Sequence, residues 1–585
     1  MPSGTAVVPT WKEIENGALT SPTSTSTIAL AGSQAAPASP ALGVTASPPP
    51  PTFHTKHLAK RIDFNALRDL AGDDQLLQRA LEDALRYVED PEMYKDVPIR
   101  GAKGIPRARL TMDQVKALEQ TGVIREISAA DVRGHIEMFT VLEVFKNRLR
   151  PIKWPKLINA VLGADTIDPD MDIAGKRQLL QVLQAGKFCA QFDGSSFFDQ
   201  IMLHPLIGVL MAFTKCGKYY CMATCPMGQR QSVQVAQRIM QKIIDVPGKR
   251  TSRLACIDNG LLVGDYSSVR HDLIHVRERA KLVGCTLNEA NEMEADIDSC
   301  IVSSMGETSG WIGICFDLIT KETWLTEKVL AKLRRSWELL RTCGWNHGGW
   351  ESHIGILTWS LQIIEVPMAD FFALLRFHSR VCHKLSETGG ASRDQPIVIP
   401  PEVMHDLTTW TELCFANKRF VQVPANKAAP TWLVCTDASR WGWGMVAVNT
   451  ITGDVREHGE RWCKQFRDVH HAKLHRSTFT EPQAVVNAMC YLLRRSGKMQ
   501  YIIIGTDNMA TKCAYNKGWN ANSFDINECV RRLRYLFQPH EFSFSVKYVP
   551  GRENVYADSW SRGKGRSGAS SGEISTKLRG WLWEN

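Results

Sequence analysis

The chain has 585 residues, 44% hydrophobic and 22% charged, with a formal net charge of +9. That length suggests three or four domains, each able to bury its own core, and the mild basic bias permits a polyanionic partner without requiring one. No apolar run approaches the ~20 residues of a membrane-spanning helix, and the N-terminus has no apolar signal segment, so the 16 cysteines are expected as reduced thiols of a cytoplasmic or nuclear protein, not a secreted one.

Residues 1–55 are rich in Ser, Thr, Ala and Pro and are expected to be a disordered tail, because they cannot bury enough apolar surface to order themselves. Residues 56–104 are expected as a helical extension, with Leu67, Leu70, Leu76, Leu77 and Leu81 at near-helical spacing. From residue 105 the pattern is mixed. A helix over Leu110–Gly122 ends at a glycine, and Phe139–Leu142 is a short strand. Further strands are expected at Phe188–Phe192, Tyr219–Ala223 and within Leu254–Val263, with a helix at Ser232–Ile244. These form a unit over 105–270. The next, 271–386, begins within a helix over 270–284, contains a hairpin of Trp311–Leu318 with Thr323–Leu325, and is otherwise mainly helical.

Residues 387–429 hold paired glycines and several prolines and are expected as a linker with one helix inside it. A compact series follows over 430–563: strands 432–437, 443–449 and 456–463, helix 478–494, strand 500–506, helices 508–518 and 524–537, strand 542–549 and a short helix from Asn554. That order suits a mixed sheet flanked by helices. Residues 564–585 are expected as a basic tail.

Two sets of carboxylates stand out. Asp437 and Asp507 each end a strand, Glu481 lies in the first turn of a helix, and Asp558 lies in the last short helix. Carboxylate oxygens suit hard cations such as Mg2+, and two such ions ~4 Å apart can stabilise both oxygens of a phosphodiester displacement. One such aspartate is commonly a turn or cap residue; four in this order are not explained that way. Upstream, Asp193 ends a strand and Asp258 sits in a hairpin turn between apolar strands. Either alone would suit ordinary turn chemistry.

The words around these residues carry a resemblance. Thr436–Ser439 with Gly442–Gly444, Thr506–Asn508, and Pro550–Asn554 leading to Ala557–Arg562 resemble the RNase H of retrotransposons over about 430–563. The resemblance implies that Asp437, Glu481, Asp507 and Asp558 bind two Mg2+ (or Mn2+) ions and cut the RNA strand of an RNA–DNA hybrid. Phe192–Ile201, Pro226–Gly228 with the helix from Ser232, and Ala255–Val263 resemble the palm of a reverse transcriptase. Gly122–Glu126, Phe139–Val141 and Arg148–Asn159 resemble its fingers, and Gly310–Gly313 its primer grip.

The implied fold is a multidomain α+β one: reverse-transcriptase fingers, palm and thumb, followed by an RNase H-like mixed α/β domain. The implied catalytic metal ligands of the palm are Asp193 and Asp258. Phe198 matches the aromatic gate that favours dNTPs, Arg150 a fingers arginine on the incoming triphosphate, and Gly228 a point of close backbone approach to template or nucleotide. RNA template, DNA primer, RNA–DNA hybrid and dNTPs are the implied partners, and no membrane is.

The sequence departs from the family pattern in places. Cys256 and Asn259 stand where an aromatic residue and a second aspartate are usual, and Ser232-Val233 where Ala-Pro is usual. Asn288–Asn291 has no lysine, and the loop Pro550–Asn554 has no histidine. The ending Ala557–Arg562 resembles the tyrosine-recombinase, DIRS-like retrotransposons, and Ile257-Asp258-Asn259 the trypanosomatid VIPER or TATE type. The function implied is an RNA-directed DNA polymerase with RNase H. The alternative is a retroelement-derived nucleic-acid-binding protein with weak or no polymerase activity, with or without a working RNase H.

Overall fold

The structure, a computed structural model, describes residues 50–583 except 59, 144–145, 164–175, 288–295, 307–309, 362, 365, 389, 422–428, 496–500, 521, 538–542 and 566–567. Most of the expected tail over 1–55, and the lysine-free Asn288–Asn291, lie outside the described residues. The chain is a multidomain α+β protein.

The first described residues correct the end of the expected tail over 1–55. Thr52–Phe53 forms β1, a two-residue strand that reappears below. Helix α1 (Phe64–Asp69) starts at Asp63 and α2 (Gln75–Glu89) at Asp74, each carboxylate accepting two backbone N–H groups of its first turn. Such caps satisfy donors that the helix itself leaves unpaired. The second cap also breaks the expected stripe of leucines. Leu67, Leu70, Leu77 and Leu81 are buried, but Leu76, beside the cap, is 75% exposed. Nor does the 56–104 segment stand apart: Leu81 and Leu85 share one core with Val235, Ile239 and Ile243 of the palm-like unit.

Helix α3 (Met112–Gln120) opens with a capping box made by Thr111 and Gln114 and gives way to Gly122 at φ +68°. Strands β2 (Ile124–Ile127), β3 (Glu137–Glu143), β4 (Arg148–Trp154), β5 (Phe188–Asp193), β6 (Ala212–Lys215) and β7 (Lys218–Met222) follow. Then come α4 (Ser232–Ile244), β8 (Ser252–Cys256), β9 (Asn259–Gly264) and α5 (Tyr266–Leu282). Three small sheets result, ordered β1-β4-β3, β2-β7-β6 and β5-β9-β8. Helix α4 buries Val235, Ala236, Ile239 and Ile243 beneath them.

The middle of the chain is a four-stranded sheet under a helical layer. Strands β10 (Ser304–Met305), β11 (Ile314–Asp317) and β12 (Glu322–Leu325) lead into helices α6 (Glu327–Cys343), α7 (His347–Ser360) and α8 (Phe372–Glu387). The expected linker holds α9 (Pro401–Ala416), then β13 (Phe420–Val421), which pairs with β12. Helix α9 is no free spacer: Val403, Leu407, Trp410 and Cys414 are buried in one core with Trp311 and Trp350. Its apolar face needs that cover, since an amphipathic helix is held mainly by packing.

The last unit is a five-stranded sheet, β16-β15-β14-β17-β18, built from β14 (Trp432–Ala438), β15 (Gly442–Asn449), β16 (Val455–Arg461), β17 (Tyr501–Thr506) and β18 (Ser543–Tyr548). Pairing is antiparallel on the β15 side and parallel from β14 to β18. Strand alternation assigns the two faces. Trp432 and Val434 face α10 (Ser477–Leu493), α11 (Met509–Lys517) and α12 (Phe524–Phe537). Leu433 and Cys435 face α13 (Val555–Ser561) and α14 (Ser571–Leu582). Gly444 allows α13 to lie on β15, because a Cβ there would sit 2.3 Å from the Ala557 carbonyl.

Helix α14 corrects the expected basic tail over 564–585. Ser570 caps it, and Ile574, Leu578 and Leu582 recur every four residues and are buried against the sheet. The middle and last units meet where Asp370 accepts a 2.7 Å hydrogen bond from Arg534 of α12. Among the described residues no helix is long and apolar enough to cross a membrane.

Candidate functional site

The parallel pairing of β14 with β17 brings two carboxylates together. Cys435 lies opposite Gly505, so Asp437 and Asp507, two residues further on, emerge side by side at adjacent strand ends. Glu481 reaches the same point from α10. Its Oε1 accepts from the Ala438 N–H at 2.9 Å and its Oε2 from the Thr506 hydroxyl at 3.5 Å. One carboxylate oxygen each from Asp437, Glu481 and Asp507 lie within 4.8 Å of one another.

This crowding is electrostatically costly. Burial pushes the Asp437 carboxyl up to about 7, and the nearby Asp507 and Asp558 add to the rise, while the Ser561 hydroxyl, donating at 2.6 Å, opposes it. Glu481 is raised well above the usual range by burial and then by Asp437 and Asp507, and burial raises Asp507 as well. Such clustering of perturbed acids marks functional sites. An all-oxygen donor set with excess negative charge is what Mg2+ or Mn2+ fits.

Asp558 stands somewhat apart. Its carboxylate does not join the three converging oxygens and accepts from Arg562 Nε at 2.7 Å, one turn along α13. Its charge still reaches Asp437 and Asp507. Three supporting residues escaped the sequence analysis. Ser561 holds Asp437, Arg562 holds Asp558, and Asn554 donates to the Thr436 carbonyl at 2.8 Å, tying the start of α13 to the strand of Asp437. The first two sit at i+3 and i+4 from Asp558, a spacing that could have flagged them.

The upstream pair is built on a hairpin. Strands β5 and β9 are antiparallel with Asp193 opposite Asn259, and the Gly194 N–H donates to the Asp258 carbonyl at 2.7 Å. Asp258 therefore sits beside Asp193 at the tip of the β8–β9 turn. Ile257 takes φ +60° there, a costly conformation for a β-branched residue that aims its neighbour into the cleft. The Asn259 side-chain amide donates to Asp258 Oδ1 at 2.8 Å. Burial raises Asp258, and Asp193 adds to the rise; Arg150 and Asn259 work against it. Asn259 thus gives Asp258 a hydrogen-bond donor and adds no charge beside it.

A cleft of about 350 Å3 opens over this pair. Phe198, 6% exposed, belongs to the core but also lines the cleft. Arg150 lines it too, held by Glu143 at 3.1 Å. Lys153, nearly buried, is paired with Asp199. His54 and Lys56, from the segment after β1, complete the wall and were not anticipated from sequence. Gly228 packs closely against the protein's own backbone. A Cβ there would lie 2.3 Å from the Lys153 carbonyl, and Asn159 donates to the Gly228 carbonyl at 2.8 Å. Among the described residues, the three-carboxylate grouping occurs in the last unit and not here.

No family model matches the chain, and no curated protein matches it. Similar solved structures include the foamy viral protease-reverse transcriptase dRH in complex with double-stranded DNA, at 13% identity, covering 84% of this chain and 83% of that one with a TM-score of 0.40. The foamy viral protease-reverse transcriptase with double-stranded DNA is 13% identical, covering 84% and 99% with a TM-score of 0.38. The same protein with an RNA/DNA hybrid is 13% identical, covering 84% and 64% with a TM-score of 0.41.

Proposed function

We propose that the chain is an RNA-directed DNA polymerase with ribonuclease H activity, acting in the cytoplasm or nucleus on a retroelement RNA. The observation that carries this reading is the presence of two separate carboxylate sites in one chain, each at strand ends and each reached by the residues its motif names. In the last unit Asp437, Glu481 and Asp507 converge, with Asp558 one turn from Arg562. In the palm-like unit Asp193 and Asp258 share a hairpin-built edge beneath Phe198 and Arg150.

The residues have distinct tasks under this reading. Asp193 and Asp258 hold divalent metal at the primer end, and Asp437, Glu481, Asp507 and Asp558 hold it at the RNA strand of the hybrid. Divalent metal, when bound, supplies positive charge to the oxygens of the phosphodiester displacement. Phe198 closes the cleft beside the sugar and so favours dNTPs; Arg150, positioned by Glu143, faces the triphosphate. Ser561 fixes the Asp437 carboxylate, and Asn554 fixes the strand that carries it through the Thr436 carbonyl. The DIRS-like affiliation, and the VIPER or TATE type within it, rest on the words Ala557–Arg562 and Ile257–Asn259.

The test is primer extension on RNA and cleavage of an RNA–DNA hybrid, assayed side by side with Mg2+ and with Mn2+. Both activities are expected. Hybrid cleavage without extension would reduce the protein to a nuclease. Asn259 favours a second reading, a nucleic-acid-binding protein with weak or no polymerase activity. Under that reading Asp258→Ala leaves the biological role intact, and loss of the role in that variant rejects it.

A further inference from the structure

Strand β1 pairs in parallel with β4, Thr52 opposite Arg148 and Phe53 opposite Leu149. The His54 N–H continues the ladder to the Leu149 carbonyl at 2.8 Å. The residues that follow are thereby carried over the palm cleft. Lys56 Nζ donates to Ser195 Oγ at 2.6 Å, two residues past Asp193, and His54 Nδ1 lies 3.1 Å from Arg148.

The cleft wall then gathers His54, Lys56, Lys146, Arg148, Arg150 and Lys153. Of the nearby acids, Glu143 pairs with Arg148 and Arg150 and Asp199 with Lys153, while Asp193 and Asp258 face the same cleft. Among the described residues no ion pair engages Lys56 or Lys146. Burial, reinforced by neighbouring cations, lowers the pKa of both Lys146 and His54. A wall of this kind is short of negative charge. An ammonium on a flexible stem is a point-charge binder of phosphate.

We propose that Lys56 is a substrate-binding residue of the palm cleft and that it takes the phosphate tail of an incoming nucleoside triphosphate. The inference rests on the polymerase reading above. Shape decides against a nucleic-acid backbone. The cations line one concavity together with Phe198 and Met227, whereas a strand's phosphates need an extended groove. The Ser195 contact alone would make Lys56 a strut for β1. Lys56→Gln keeps an N–H donor and removes the charge, so it separates strut from binder.

The experiment uses the full chain. Steady-state extension on an RNA template is compared for the parent, Lys56→Gln and Lys56→Arg, and inorganic tripolyphosphate binding to nucleic-acid-free protein is followed by calorimetry. The expected result is a dNTP KM raised about tenfold in Lys56→Gln, with the primer–template KM unchanged, partial recovery in Lys56→Arg, and tripolyphosphate binding weakened about tenfold. A parent that extends primers, with dNTP KM unchanged in Lys56→Gln, would overturn the proposal and leave the polymerase reading standing. If the parent does not extend primers, the polymerase reading fails. Tripolyphosphate then decides: weakening in Lys56→Gln supports the anion site, and equal or no binding by parent and variant overturns it. Unfolding midpoints of the three proteins identify a variant that has lost its fold, and Lys56→Arg then carries the comparison, an unchanged KM in both variants counting against the proposal.

Discussion

The two carboxylate sites solve opposite problems of charge. In the last unit three acids converge with hydroxyl and amide donors around them, and the nearest guanidinium, Arg562, is engaged with Asp558. In the unit of Asp193 and Asp258, two acids sit under a wall of cations, and the neighbouring Asn259 presents an amide that donates to Asp258. The first site is short of positive charge and the second is already supplied with it. A site of the first kind depends on divalent metal for its chemistry; a site of the second kind binds an anion whether or not metal is tight.

The largest expected effect breaks the pair into separate machines. Asp507→Asn should lower hybrid cleavage at least on the order of a thousand-fold and leave primer extension intact, while Asp193→Asn should do the reverse. Crossed losses in the two assays would show the sites mis-assigned. Next comes Asn259→Asp, which removes the donor to Asp258 and adds a carboxylate. Half-maximal extension should then need about tenfold less Mg2+, measured by metal titration, with hybrid cleavage unmoved. An unchanged metal requirement means Asn259 takes no part in metal binding.

Gly228→Ala sharpens the contrast between packing and recognition. The added methyl meets the Lys153 carbonyl, so about 2 kcal/mol of stability should be lost, read by denaturant unfolding. A normal stability with a raised template KM would support the substrate role expected of this glycine. The smallest effect lies between the sites, in the helical middle. Burial lowers His353 to about 4, and its ring meets the hydroxyls of Ser336 and Thr411 on α6 and α9. The unfolded chain takes the proton more readily, near 6.5. The stability held by neutral His353 is therefore intact above about 6.5 and is lost as pH falls toward 4. His353→Gln should flatten that stretch of the Tm profile.

What was legible in the sequence follows from the range of the interaction that makes it. Local periodicity was enough for α4, whose bounds match the expected Ser232–Ile244, and for β17, where Ile502, Ile503 and Ile504 run straight into Asp507. Asp437 and Asp507 were placed at strand ends by the apolar runs that precede them. Illegible features depend on distant partners. The two residues of β1 have no pattern of their own and become a strand only because β4 lies alongside. Helix α9 looked like linker because prolines bracket it; its core partners Trp311 and Trp350 lie far upstream. The stripe Ile574, Leu578, Leu582 was present in the sequence but outweighed by the basic run before it. The close approach of the Lys153 carbonyl to Gly228 was equally illegible, because Lys153 lies far upstream in the chain.

Helix α14 sets an order of assembly. Asp193 and Asp258 come from one stretch of chain, and their hairpin can close soon after residue 264 leaves the ribosome. Strand β14, which carries Asp437, has to wait for β17, α13 and finally α14, at residues 571–582, before its second face is covered. Contacts of such long sequence separation form late, and the exposed sheet face is prone to aggregation meanwhile. During synthesis the hairpin carrying Asp193 and Asp258 can therefore form while the sheet carrying Asp437 is still unfinished.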